Sequence, residues 1–180
     1  MYSPGAMAFS EQLKSRHFAL VGLMGAGKTS VGRLLAIRLG LPFHDSDEAV
    51  AQAAGLSVAE LFARQGEPAF RVLERAALAR ILAGERSVIA TGGGAVTEAE
   101  TREALRDRAF TIWLDASPAT LATRITDSDE RPLLAGGDAE AVLDRLAEQR
   151  LPFYAASLLR IATDDLTAEE VAELIVATLR

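Results

Sequence analysis

The chain has 180 residues, 49% of them hydrophobic and 24% charged, a composition that fits one compact domain with a sizeable core and gives no sign of disorder. Its 19 basic and 25 acidic residues leave a formal charge of −6, the wrong sign for gripping a polyanion over a broad surface, so nucleic acid is not expected as a partner. The absence of cysteine excludes disulfide frameworks, thiolate metal sites and cysteine nucleophiles and is compatible with a reducing cytoplasm, while no apolar run reaches the roughly 18 residues that span a bilayer.

Residues 1–16 lack the long apolar core of a signal peptide and read as a flexible leader ahead of a single domain over 17–180. From His17 short apolar runs alternate with longer helical segments, which predicts an α/β fold of βα units around a parallel sheet. Five strands are expected: HFALVG (17–22), LPFHDS (41–46), SVIAT (87–91), FTIWL (110–114) and LRIAT (159–163). Between them, Ser57 with Glu60, Thr97 with Glu100 and Thr167 with Glu170 have the spacing of capping boxes, and Ser117 with Pro118 pairs an N-cap with proline at the first helical position. GEPAFRVLERAAL, from Gly66, reads as a helix with an inward stripe of Phe70, Leu73, Ala77 and Ile81; the last helix carries Val171, Leu174, Ile175 and Thr178 on one side. The stretch 126–138 follows neither pattern and reads as a surface loop or a lid.

GLMGAGKT (22–29) matches G-x-x-x-x-G-K-[ST] and lies between an apolar strand and a helix, where the mechanism requires it. Its glycines let successive N–H groups point at phosphate oxygens, and the helix N-terminus adds positive potential. Gly25, Ala26, Gly27, Lys28, Thr29 and Ser30 are therefore candidate nucleotide contacts, Lys28 for the terminal phosphates and Thr29 for Mg²⁺. A guanine-reading N/T-K-x-D element is absent, and SVIAT ends in glycines rather than in a metal-supporting carboxylate. HDSD supplies the alternative. If it is extended, Asp45 and Asp47 share a face, one serving the metal and the other an acceptor hydroxyl; the same residues also suit a helix N-cap.

Arg71 has Glu74 one turn later, which reads either as a solvated surface pair or as a carboxylate holding a functional guanidinium. Arg131 and Arg150 are further candidates, because arginine's planar fork suits carboxylates and transferring phosphoryl groups. ATGGGAV (90–96) is a second glycine cluster, but no lysine or hydroxyl follows it as in the first. It is either a strand-to-helix turn or a stretch of bare backbone that a compact acceptor approaches.

With GLMGAGKTSVGR, DSD, FR within GEPAFRVLE, TGGGAV, RPLL and QRLPFY in this order between Phe18 and Thr163, the chain resembles the shikimate kinase family. The resemblance implies a three-layer P-loop kinase fold with a five-stranded parallel sheet in the order 2-3-1-4-5, a shikimate-binding region over about 47–75 and a lid over about 124–138. It also implies ATP- and Mg²⁺-dependent phosphorylation of the 3-hydroxyl of shikimate, a step of chorismate and aromatic amino acid biosynthesis, by a cytoplasmic monomer. Lys28 would hold the β and γ phosphates, and Thr29 and Asp45 the metal. Asp47 would bind the shikimate hydroxyls and act as base, while Arg71 and Arg150 would clamp the carboxylate. Gly92, Gly93 and Gly94 would approach the ring; Arg131 would neutralise the phosphoryl group and Arg124 would stack on adenine. On this reading Gly93→Ala impairs shikimate binding and spares ATP. The rival readings are another kinase of the same fold, such as a gluconate or nucleoside-monophosphate kinase, and a noncatalytic ATP-binding regulator.

Overall fold

The computed structural model describes residues 13–125 and 138–179. Most of the expected leader, the central part of the expected lid and Arg131 lie outside the described residues. Residues 13–15 form a helical turn, ahead of the expected first strand, whose Leu13 is buried in the main core.

Among the described residues, β1 (His17–Val21) is followed by α1 (Lys28–Leu39), β2 (Phe43–Asp45), α2 (Ser46–Ala54), α3 (Val58–Leu82) and β3 (Val88–Ala90). A single 3₁₀ turn (Ala95–Thr97) leads to α4 (Ala99–Arg108), β4 (Ala109–Asp115), α5 (Pro118–Arg124), α6 (Ala139–Tyr154), β5 (Leu159–Ala162) and α7 (Ala168–Thr178). All strand pairs are parallel and the order is β2-β3-β1-β4-β5, with Phe18 of β1 opposite Val88 on one side and Phe110 on the other. Every residue of β1 is buried, as in a strand covered on both faces. β1 and β3 are neighbours, so the glycine-rich stretches that follow them emerge side by side at the carboxyl edge, where open α/β sheets bind ligands.

The main core gathers Leu20, Ile89, Ile112 and Leu114 of the sheet with Leu35, Leu143 and Ile175 of the flanking helices, each buried side chain of this kind contributing about 1.5–3 kcal/mol. A second, smaller core of Val50, Leu61, Phe70 and Ala77 joins α2 to α3. α3 starts from a capping box of Ser57 and Glu60 and is broken at Gly66, whose φ of 78° ends one helical run before Pro68 opens the next.

Several expected details change. β2 stops at Asp45 because that carboxylate caps α2, accepting from the amides of Asp47 (2.9 Å) and Glu48 (3.4 Å). The capping boxes at Ser57 and Thr167 form, as does the Ser117 cap. The one expected at Thr97 does not: its hydroxyl donates back to Gly94 O at 2.7 Å within the 3₁₀ turn, and α4 begins from Glu98 without a side-chain cap. On α7 the buried face is Val171, Ala172 and Ile175, with Leu174 and Thr178 exposed. On α3 the buried positions include the charged Arg71 and Glu74 beside Phe70 and Ala77. No helix among the described residues is long and apolar enough to cross a membrane.

Candidate active site

The phosphate loop turns on Gly22, Gly25 and Gly27, all with φ between 81° and 141°. It fits tightly between neighbours: a Cβ on Gly22 would lie 2.5 Å from Leu114 O, and one on Gly25 would lie 3.0 Å from Ile125 Cγ1. Lys28 Nζ bridges the loop, donating to Gly22 O (2.8 Å) and Leu23 O (2.7 Å). α1 starts at Lys28 with neither a side-chain cap nor an acidic residue in its first turn, which leaves its N-terminal amides and dipole directed at an anion.

The two aspartates part company. Because the helix starts at Ser46, they do not share the face of an extended strand, and the expected i, i+2 geometry gives way to a cap. Asp45 Oδ2 accepts from Thr29 Oγ1 at 2.7 Å, which ties the end of β2 to the phosphate loop while its other oxygen caps α2. Asp47 turns instead to the second glycine cluster, where a Cβ on Gly92 would lie 2.6 Å from Asp47 Oδ1 and would also run into Glu74 Oε1.

Behind that cluster lies a buried group of charges. Arg71 is 9% exposed and Glu74 1%, and Arg71 Nη1 donates to Glu74 Oε2 at 2.6 Å. The same guanidinium donates to Glu67 Oε1 from Nη2 (2.8 Å) and Nε (3.2 Å). The surface-pair alternative is thereby overturned. Burial pushes the Glu74 carboxyl up to about 7, with Asp47 acting in the same direction and Arg71 and Arg150 opposing. Arg150 is 5% exposed, and its Nη1, like Glu74 Oε1, has no hydrogen-bond partner among the described residues. A buried guanidinium N–H without an acceptor is costly unless a further oxygen completes it, even though the Arg150 charge is felt by Glu74 and Tyr154.

The triple glycine is required by close approach rather than by dihedral angle, since the positive-φ glycines do not include Gly92, Gly93 or Gly94. A Cβ on Gly94 would enter the Arg71 guanidinium, 2.6 Å from Cζ. On Gly93 it would lie 3.2 Å from Met24 N, in the phosphate loop. The backbone itself is held from behind, Gly92 N donating to Ser46 Oγ (2.8 Å) and Gly93 O accepting from Tyr154 Oη (2.5 Å).

A shikimate kinase family model matches residues 24–180. The chain belongs to the shikimate kinase family. A Caulobacter vibrioides shikimate kinase is 48% identical over 168 residues, covering 93% of this chain and 84% of that one. The structure of an Acinetobacter baumannii shikimate kinase in complex with shikimate superposes with a TM-score of 0.89 at 34% identity, covering 97% of this chain and 96% of that one. A Sinorhizobium meliloti gluconokinase aligns at a TM-score of 0.59 and 18% identity over 92% of this chain and 91% of that one, a likeness of fold alone.

Two further residues expected from the sequence to contact nucleotide are Arg124 and Ser30. Arg124, at the end of α5, donates from Nη2 to Thr163 O (2.5 Å) and Asp164 O (3.1 Å), and Ser30 is exposed in the first turn of α1. Sequence reasoning missed Tyr154, Ser46 and Glu67. Tyr154 is buried against Trp113, and burial pushes its phenol up to about 12. Its only local signal was the late QRLPFY motif. A cavity of about 640 Å³ lined by Leu13, Phe110, Arg102 and Phe153 holds none of the expected site residues.

Proposed function

We propose that the chain transfers the γ-phosphoryl group of ATP to the 3-hydroxyl of shikimate, with ATP seated on the phosphate loop and the acceptor beside Gly92, Gly93 and Gly94. The observation that carries the acceptor side is the buried pair Arg71 and Arg150, the latter with an orphaned nitrogen, in a chain of acidic net charge. Two desolvated guanidinium groups suit a carboxylate, which favours shikimate over neutral acceptors of comparable size; gluconate, also a carboxylate, is separated from it by the acceptor panel below.

Phosphoryl transfer asks mainly for positioning and charge neutralisation. Asp47 orients the attacking hydroxyl and takes its proton; Glu74 holds the Arg71 fork toward the carboxylate. Lys28, which already reaches across the phosphate loop, moves its charge onto the β and γ phosphates. Arg131 adds a further positive charge at the transferring group. Thr29 and Asp45, a hydroxyl and a carboxylate in mutual contact, form the hard-oxygen pair that suits Mg²⁺. The ion supplies neutralisation of phosphate charge when bound. A cytoplasmic location and a monomeric state go with this reading.

The test is ADP release from ATP with a panel of acceptors: shikimate, gluconate and nucleoside monophosphates. Release that depends on shikimate alone supports the proposal. Release with gluconate or a nucleotide favours the rival kinases, and nucleotide binding with no release under any acceptor favours a regulator.

A further inference from the structure

Asp164, in the loop that leaves β5, makes contacts that none of the roles above uses. Its Oδ1 accepts from Ser117 N (2.9 Å), Ser117 Oγ (2.7 Å) and Thr120 Oγ1 (2.7 Å), all in the opening turn of α5. Its backbone carbonyl accepts from Arg124, the last residue of the same helix. One residue therefore holds both ends of α5. With seven residues, this helix is too short to be stable by itself, so its position is set by such ties.

What α5 carries makes that position matter. Its C-terminal end packs on the phosphate loop, a Cβ on Gly25 falling 3.1 Å from Leu121 O and 3.0 Å from Ile125 Cγ1. Its last residue is Arg124, whose guanidinium is held by one edge to the β5 loop, Nη2 donating to Thr163 O and Asp164 O. We propose that Asp164 is a positioning residue for the nucleotide, clasping α5 so that Arg124 is presented as a planar platform for the base while the phosphate loop keeps its spacing. The proposal rests on the reading of Arg124 as a nucleotide contact. The hydroxyls of Thr120 and Ser117 and the Ser117 amide hold the Asp164 carboxyl down to about 2, so the clasp stays ionised and does not vary over the pH range of an assay.

Steady-state kinetics of Asp164→Ala, Asp164→Asn, Arg124→Ala and the Asp164→Ala, Arg124→Ala double variant test this. Asp164→Ala is expected to raise KM for ATP about five- to tenfold, the scale of a lost helix cap, with kcat and KM for shikimate within about twofold of wild type. Asp164→Asn keeps the accepting oxygen and restores most of the loss. In the Arg124→Ala background the Asp164 substitution adds less than about twofold, because the two act through one platform. Ser117→Ala removes one donor and raises the same constant less, and it stands in if the alanine variant at 164 does not fold. An unchanged KM for ATP in Asp164→Ala beside an impaired Arg124→Ala overturns the proposal alone. So does a loss spread equally over kcat and both KM values, which marks a merely structural role. An unchanged KM for ATP in Arg124→Ala overturns the platform reading of Arg124 and the proposal with it.

Discussion

Glu74 is the residue on which the charge balance of the acceptor side turns. Its ordinary value is 4.5, and burial raises it to about 7 although Arg71 lies 2.6 Å away. Between those values the folded chain holds a proton that the unfolded chain has released, so this group's contribution to stability is full below about 4.5 and is lost as pH rises through about 7. In thermal melts of the ligand-free protein, wild type is therefore expected to lose more Tm between pH 5 and pH 8 than Glu74→Gln, which has nothing to titrate there. Parallel pH profiles would remove Glu74 as the titrating group. The role proposed for Asp47 is the more direct one. Asp47→Asn keeps the shape of the side chain but removes the base, and is expected to lower kcat by about 10²–10⁴-fold with little change in ATP affinity. Unchanged turnover would take Asp47 out of its proposed role. The burial of Arg71 and Glu74 was not legible in the sequence, because i, i+3 spacing is the same for a solvated pair and a buried one. The second core of Val50, Leu61, Phe70 and Ala77, which brings α2 against α3, decides the matter.

The second glycine loop lies between the phosphate loop and the buried Arg71. Gly94 abuts the Arg71 guanidinium, whereas Gly93 faces Met24 N across the phosphate loop. Gly94→Ala is thus expected to raise KM for shikimate by about tenfold or more, the worth of one charge-assisted hydrogen bond, while sparing KM for ATP. Gly93→Ala is expected to raise both constants, because its methyl group meets phosphate-loop backbone at 3.2 Å; the selective effect anticipated from sequence belongs to Gly94 instead. A Gly93→Ala variant with ATP kinetics of wild type would contradict this assignment. Local chemistry explains which elements could be read in advance. The boxes at Ser57 and Thr167 depend only on residues three apart and formed as expected. Thr97 has the same spacing, but the glycine turn offers its hydroxyl a nearer carbonyl, Gly94 O. Tyr154 reaches Gly93 from 61 positions away, and no local pattern records such a contact.

At the scale of the molecule, alternation of apolar runs and helical segments was enough to indicate a parallel α/β sheet, since β1 and β3 are buried along their whole length, although the edge strands β2, with His44 and Asp45, and β5, with Arg160, are not. The order β2-β3-β1-β4-β5 was not contained in that alternation and came from the resemblance to a family; the structure has that order. Its consequence is functional. By setting β1 beside β3, the sheet brings together a loop that suits triphosphate and a loop that suits a compact carboxylated acceptor, with Asp47 next to the latter. The central claim is that the buried arginines recognise the acceptor's carboxylate. It is tested most directly by ADP release from wild type and Arg150→Ala with shikimate and with an analogue whose carboxylate is replaced by a neutral hydroxymethyl group. Wild type is predicted to show a KM at least about tenfold higher for the neutral acceptor, and Arg150→Ala to raise KM for shikimate while leaving that of the neutral analogue nearly unchanged. Equal losses for both acceptors in Arg150→Ala, or ADP release that does not depend on shikimate, would contradict the account.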